Sequence, residues 1–353
     1  MTALPADPAA DAPLAPHEPS RPRVLLAMDP EFAPTLLSER TLTRLARIAR
    51  CDTRLLVQDL TDPAVRAALA DAEVLLTFWG CPPLDEAVLA AAPKLRAVVH
   101  AAGSVRGHVP AHVWDRGIQV SSAASANALP VAEYTVACVL FFNKHVLEAR
   151  DAYRRVRGHD DWRSLFTDVG NYRRTVGIVG ASRIGRRVME LLRPYALDVL
   201  VHDPYLSATG ATELGVRAVD LDTLCAESDV VSLHAPELPS TLRMIDRRRL
   251  ALMRDGATFI NTARGALVDQ DALTAELVAG RLRAVIDVTV PEVLPSDSPL
   301  YDLPNVLLTP HFAGSFGNEV QRMADSALDE IARFARGLPF SHPVRREELD
   351  HLA

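Results

Sequence analysis

Twice along this chain, short apolar runs alternate with stretches of helical periodicity, and that alternation leaves few folds open. From Arg23 the runs are RVLLAM, TRLLVQD, EVLLTFW, LRAVVHAA and IQVSS, with a helical pattern over 35–50 between the first two. From Thr175 a second series reads TVGIVG, LDVLVHD, DVVSLHAP, ATFINTARG, RAVIDV and NVLLTPH. Apolar runs separated by helical segments form parallel strands covered by helices on both faces. The expected class is therefore α/β, with two doubly wound parallel-sheet domains, and 353 residues are enough for two separate cores.

Between the two series a long helix is expected to start at Asn127, which can cap it, with Pro130 tolerated in the first turn. Its continuation VAEYTVACVLFFNKHVLEAR is apolar on nearly every side through Phe142. A one-faced surface helix needs less than that, so the segment is expected to pack between domains or against a second subunit. Over 318–336, Val320, Met323, Ala324, Ala327, Leu328 and Ile331 recur at helical spacing, and this helix is expected to return to the first unit. The first 22 residues, rich in Pro, Ala and Asp, read as a disordered tail. The end of the chain, 341–353, reads as an irregular tail.

Composition excludes several function classes. A net charge of -7 offers no electrostatic footprint for nucleic acid. Cys51, Cys81, Cys138 and Cys225 lie far apart with no C-x-x-C pair, which suggests neither a metal site nor a disulfide framework but reduced thiols. The N-terminus lacks the basic start and apolar segment of a signal peptide, and the apolar run Tyr134 to Phe142 is too short to span a bilayer. A cytoplasmic protein with no membrane or nucleic-acid partner is the expectation.

Each strand-like run of the second series ends in a small, polar or charged cluster, and open α/β sheets bind ligands at those carboxyl ends. VGIVGASRIG is nearly a dinucleotide fingerprint. Gly180 permits the tight turn out of the strand, and Gly185 lets helix and strand pack closely. The helix start at Ser182, Arg183 and Ile184 offers N–H groups to a pyrophosphate. Ser182 stands where the middle glycine is usual; its added atoms can crowd a phosphate or donate a hydrogen bond to it. Asp203, 23 residues beyond Gly180, ends the next strand, where an acid accepts from adenosine ribose hydroxyls and repels a 2′-phosphate. The cofactor favoured is NAD over NADP. Asp203 could instead only open the Asp-Pro turn that comes after it.

Three later strand ends carry groups suited to a 2-keto acid. Arg264 can grip a carboxylate bidentately. His311 can supply a proton near neutral pH, and a neighbouring carboxylate, Asp287 or Glu292, would favour its charged form.

The pieces VAEYT, VGIVGASRIG, SLHAP, NTARGALVDQDAL, IDVTVPEVLP and TPHFAG, in this order, resemble the NAD-dependent D-2-hydroxyacid dehydrogenase family, over roughly Arg23 to Leu338. The resemblance implies a flavodoxin-like substrate domain from 23–126 and 309–340, with a Rossmann NAD-binding domain over 127–308 inserted in it. It also implies a homodimer built through the NAD-binding domain and its long apolar helix. It puts substrate carboxylate and carbonyl on Arg264, the acid/base on His311, its partner on Glu292 and a nicotinamide contact on Asp287. His234 and Pro236 of SLHAP, Thr262 and Ala263 beside the arginine, and His311 would line the cofactor. Backbone N–H groups of Gly103, Ser104 and Val105 in HAAGSVRGHV would hold the substrate carboxylate; Arg106 and His100 nearby either shape the pocket or only solvate the loop.

The implied reaction interconverts a 2-keto acid and a D-2-hydroxy acid by hydride transfer. The sequence departs from the usual pattern at Ser182, Thr289, Val290 and Val293. Two alternatives belong to the same resemblance: an NAD(H)-responsive corepressor-like protein with little turnover, and a member acting on formate or phosphite. Glu292 disfavours the formate type, in which glutamine is usual at that place.

Overall fold

The computed structural model describes residues 21–349. The tail expected over 1–22 therefore lies outside the described residues as far as Ser20. The chain forms two compact units: one takes the chain up to Ala123 and again over Gln321–Arg346, the other takes Ala124–Val320.

In the first unit five parallel strands, β1 (Val24–Ala27), β2 (Leu56–Val57), β3 (Val74–Thr77), β4 (Ala97–His100) and β5 (Gln119–Ser122), lie in the order β2-β1-β3-β4-β5. β1, β3 and β4 are buried throughout, as expected of unbroken apolar runs in a sheet covered on both faces. The helix Val320–Ala335 returns to this unit with Met323, Ala324, Ala327, Leu328 and Ile331 buried. Arg44 on the helix Glu39–Ile48 reaches Asp325 and Asp329 of that returning helix.

The chain after Leu338 has no long regular element, but it is not a loose tail over its described part. The buried carboxylate of Glu330 accepts from the N–H groups of Ser341 and His342, Val344 N–H donates to Val120, and Trp114 Nε1 donates to the Val344 carbonyl. Phe340 and Val344 are buried with them. A buried acid needs such donors, and this segment supplies them.

The second unit holds seven parallel strands, β6 (Thr175–Val179), β7 (Asp198–His202), β8 (Arg217–Ala218), β9 (Val230–Leu233), β10 (Thr258–Asn261), β11 (Arg283–Ile286) and β12 (Val306–Leu308). Their order is β12-β11-β10-β9-β6-β7-β8, so the chain leaves β6 first to one side and then to the other. That reversal is the topological switch point at which such sheets bind ligands.

The long helix runs from Ala124 to Asn143, three residues earlier than expected, with Pro130 inside it. Asn127 does not cap it: its side-chain oxygen accepts from Ser315 N–H at 2.9 Å. By length and composition this helix could cross a bilayer. Half of its residues are buried, however, and Ala132, Val136, Val139 and Phe142 pack with Val176, Ile178, Val188, Met189 and Leu192 in the core of the second unit. The return to the first unit comes at Gln321 rather than at 309, because 309–315 is tied to the second unit through Asp287 and Asn127.

Candidate active site

Strand register, more than any local motif, assembles the site. Val179 pairs with His202 on one side and Leu233 on the other; Leu233 pairs with Asn261, Asn261 with Ile286, and Ile286 with Leu308. The next residue on each strand therefore falls in one row at the carboxyl edge: Asp203, Gly180, His234, Thr262, Asp287 and Thr309. Arg264 and His311 stand two residues beyond their row members.

At the switch point Gly180 has φ +99, and a Cβ there would lie 2.7 Å from Ala235 N. A Cβ on Gly185 would lie 2.0 Å from the Gly180 carbonyl oxygen. Neither position admits a side chain. Ser182 is the N-cap of the helix Arg183–Leu192: its hydroxyl oxygen accepts from Gly185 N–H at 3.3 Å. The serine thus does the work of a helix cap at a place where glycine is usual. The N–H groups of Ser182, Arg183 and Ile184 donate to no protein acceptor among the described residues, whereas Arg186 N–H returns to the Ser182 carbonyl. Asp203 holds this turn, accepting from Ala181 N–H at 2.7 Å and from Tyr205 N–H at 2.8 Å.

His234 is buried, with Nε2 2.8 Å from Ser232 Oγ and Nδ1 unpartnered among the described residues, and burial pulls its pKa down to about 3. It is a neutral imidazole in the wall. The Pro236 carbonyl accepts from Thr241 Oγ1 at 2.6 Å. Thr262 and Ala263 are buried.

The Asn261 side chain builds the next turn, accepting from Ala263 N–H and donating to the Arg264 carbonyl, both at 3.0 Å. Arg264 is half-buried. One of its guanidinium nitrogens donates to the Ala263 carbonyl, and it forms no ion pair among the described residues. Gly265 comes next because the Thr289 backbone passes directly against it. Beyond that contact, Thr289 Oγ1 bonds the carbonyls of Pro291 and Glu292, and the Gln270 amide clamps Val290 at both its N–H and its carbonyl.

Glu292, so placed, lies with Oε1 2.8 Å from His311 Nδ1. Both are accessible, the histidine side chain 48% and the glutamate 72% exposed. The loop carrying the histidine is fastened by Asp287, which is 2% exposed. Its carboxylate accepts from Thr309 Oγ1 at 2.5 Å, Phe312 N–H at 2.7 Å and Ala313 N–H at 3.0 Å, and its carbonyl accepts from His311 N–H at 2.8 Å. The resemblance implies a nicotinamide contact for Asp287; the structure shows in addition this anchoring role, which no local motif announces. Arg264, Asp287, Glu292 and His311 are thus brought to neighbouring strand ends, and only Glu292 and His311 touch through their side chains.

In the first unit β4 ends at His100, which bonds Thr77 Oγ1 at 2.9 Å and the Ser104 backbone. His108 lies beside it with ring centroids 4.3 Å apart and the rings tilted by 47°. Both are buried; burial drives His100 well below the usual histidine range and His108 down to about 4. The intervening loop leaves the N–H groups of Gly103, Ser104 and Val105 without protein acceptors among the described residues. Arg106 is exposed, and Trp79 stacks on Phe78 and edge-on to Phe32. The four cysteines are free thiols that burial pushes up to about 12. Among the described residues no cluster of His, Cys, Asp and Glu could hold a metal ion.

A glycine turn at the switch point of a seven-stranded parallel sheet, with a histidine and a glutamate in contact further along the same edge, has the form of a dinucleotide-binding domain. Residues 136–313 match the NAD-binding domain of the D-isomer specific 2-hydroxyacid dehydrogenases, and the chain belongs to that family. It is 36% identical over 270 residues to D-3-phosphoglycerate dehydrogenase of Mycobacterium bovis, a match covering 76% of this chain and 50% of that protein. The chain spans about half the length of the curated phosphoglycerate dehydrogenases it matches. It is 35% identical over 259 residues to glyoxylate reductase of Korarchaeum cryptofilum, covering 72% and 77% of the two chains. A crystal structure of a phosphoglycerate oxidoreductase from Rhizobium etli superposes with a TM-score of 0.77 at 25% identity, covering 92% of this chain and 98% of that one.

Proposed function

We propose that the protein interconverts a 2-keto acid and a D-2-hydroxy acid with NAD(H), and that Arg264, Glu292 and His311 perform the reaction. The observation that carries this reading is the Glu292 to His311 contact at 2.8 Å. It engages Nδ1 and leaves Nε2 as the ring atom able to pass a proton.

NAD(H) fits the residues present. Three unspent N–H groups at Ser182, Arg183 and Ile184 suit a pyrophosphate at the helix start, and the Asp203 carboxylate disfavours a 2′-phosphate. When bound, the cofactor supplies or accepts the hydride at substrate C2. The chain's own residues do the rest. Arg264, a cation with no carboxylate partner among the described residues, holds the substrate carboxylate. His311 Nε2 gives its proton to the carbonyl oxygen as C2 is reduced, and takes it back in the reverse direction. Glu292 orients the ring through Nδ1. A role for the Gly103 to Val105 amides in substrate binding rests on the resemblance and on their lack of acceptors among the described residues.

A homodimer is part of the proposal. The long helix exposes Phe141, 52% accessible, and the following helix Val146–Val156 exposes Tyr153. Apolar area of this kind on neighbouring helices suits a second copy of the chain.

The test is NADH consumption against glyoxylate, hydroxypyruvate, pyruvate, phenylpyruvate and branched keto acids, in the parent and in His311→Ala. Turnover that is lost in the variant while NADH binding persists is the expected result. Tight NADH binding with no turnover on any keto acid would favour the corepressor-like reading instead.

A further inference from the structure

His311 has φ +53, a left-handed backbone that a residue with a side chain holds only when its surroundings enforce it. Asp287 supplies part of the enforcement. The rest leads away from the loop to the long helix. Tyr134, half-buried on that helix, has its hydroxyl 3.1 Å from Thr309 Oγ1, and Thr309 lies two residues before His311. The hydrogens can be assigned. Thr309 has one hydroxyl hydrogen, and the Asp287 carboxylate, 2.5 Å away, can only accept it. In that bond only Tyr134 can be the donor, and the Cys138 thiol lies beside the same hydroxyl. Burial pushes the Tyr134 pKa upward, which keeps that hydrogen in place. The neighbouring Thr135 Oγ1 meets Thr262 Oγ1 at 3.3 Å, so consecutive residues of one helix reach the ends of β12 and β10.

We infer that Tyr134 is a positioning residue for the acid/base, acting through a directed chain in which Tyr134 donates to Thr309 and Thr309 donates to Asp287, whose carboxylate holds the Phe312 and Ala313 amides. A tyrosine that only filled space could be phenylalanine without consequence. Here the phenol oxygen adds a further anchor to the four that Asp287 supplies, and it comes from an element outside the strand edge. The chain polarises the Asp287 carboxylate toward Thr309 and leaves its second oxygen for Ala313 N–H. The inference rests on His311 being the acid/base, but its structural half can be measured independently of turnover.

Three single variants and one double test it: Tyr134→Phe, Thr309→Val, Thr309→Ser and Tyr134→Phe with Thr309→Val. In the chain without added nucleotide, amide exchange of Phe312 and Ala313 should quicken about fivefold in Y134F and more in T309V, the order set by one net hydrogen bond. T309S, which keeps the hydroxyl, should match the parent. Turnover should fall by similar factors with KM for NADH held within about twofold, because the loop and not the phosphate turn has loosened. The double variant should lose no more than T309V alone, since both hydroxyls act in one chain. Unchanged exchange in folded Y134F and T309V overturns the inference, as does quickened exchange with undiminished turnover. A parent that consumes no NADH with any keto acid, yet shows the exchange pattern, refutes the proposed reaction while upholding the chain of hydroxyls.

Discussion

Gly265→Ala isolates how Glu292 is placed, because it adds one methyl group at a contact between two loops and removes no functional atom. The Cβ would stand 2.4 Å from the Thr289 carbonyl carbon, 2.6 Å from its oxygen and 2.8 Å from its Cα. Ordinary contact begins near 3.4 Å, so the two backbones must part by about 1 Å. The neighbour is backbone and cannot rotate away. Thr289 is also tied to Glu292 through its hydroxyl, and Gln270 clamps the intervening Val290, so the shift is passed along the loop to the glutamate. Its bond to His311 is 2.8 Å long, and a further 1 Å breaks it. Overpacking of this kind costs about 1–3 kcal/mol of stability. Misplacement by 1 Å near reacting groups costs up to about a hundredfold in rate. Steady-state keto-acid reduction, NADH binding by fluorescence and thermal melting together read the effect: kcat should fall about 10- to 100-fold with NADH affinity nearly unchanged. Parental kcat in a variant that melts a few degrees lower would refute the claim that the close approach at Gly265 places Glu292.

Two more outcomes can be stated for single residues. Ser182→Ala should lower the stability of the second unit by about 0.5–1 kcal/mol through the lost cap. Ser182→Gly should cost only about a few tenths of a kcal/mol and change NADH affinity by no more than about 1 kcal/mol; abolished binding in Ser182→Gly would show that the hydroxyl is a required phosphate ligand. His108 is held neutral in the folded chain, its pKa lowered to about 4, while the unfolded chain takes up the proton near 6.5. Its contribution to stability is therefore complete above pH 6.5 and is lost as pH falls toward 4, by about 1.4 kcal/mol per unit and about 3 kcal/mol in all. Denaturant titrations of His108→Gln between these limits should show a pH slope shallower by close to one proton; an unchanged slope removes His108 from the acid response.

Much of the site is legible in the sequence, and the reason is visible in the sheet. A strand buried on both faces has to be an unbroken apolar run, so TVGIVG or NVLLTPH announces where it stops. In a parallel sheet the residues just past the strand ends stand at one common edge. Arg264, Asp287, Glu292, His311 and Asp203 are legible for that reason. Ser182 is not, because a serine after a strand reads equally well as a phosphate contact or an obstruction, and its role as a helix cap appears only in the structure. Asp287 reads as a group facing a ligand, and its burial beneath Thr309, Phe312 and Ala313 depends on how the loop folds back. Asn127 reads as a helix cap, and its bond to Ser315 joins residues far apart in the chain. Tyr134 is only one letter in an apolar helix.

The sequence by itself determined the α/β class, the strand ends and the chemical kinds of group offered there, because burial on two faces and the demands of a tight turn leave a local imprint on composition. Tertiary structure alone decided that Asp287 meets the loop that carries the histidine and that Tyr134 meets Thr309, and it set Glu292 against His311, the pair that the resemblance implied. Such pairings depend on strand register and on which helix covers which edge. Those are set by the packing of residues distant in the chain, so nothing in a local stretch of sequence records them.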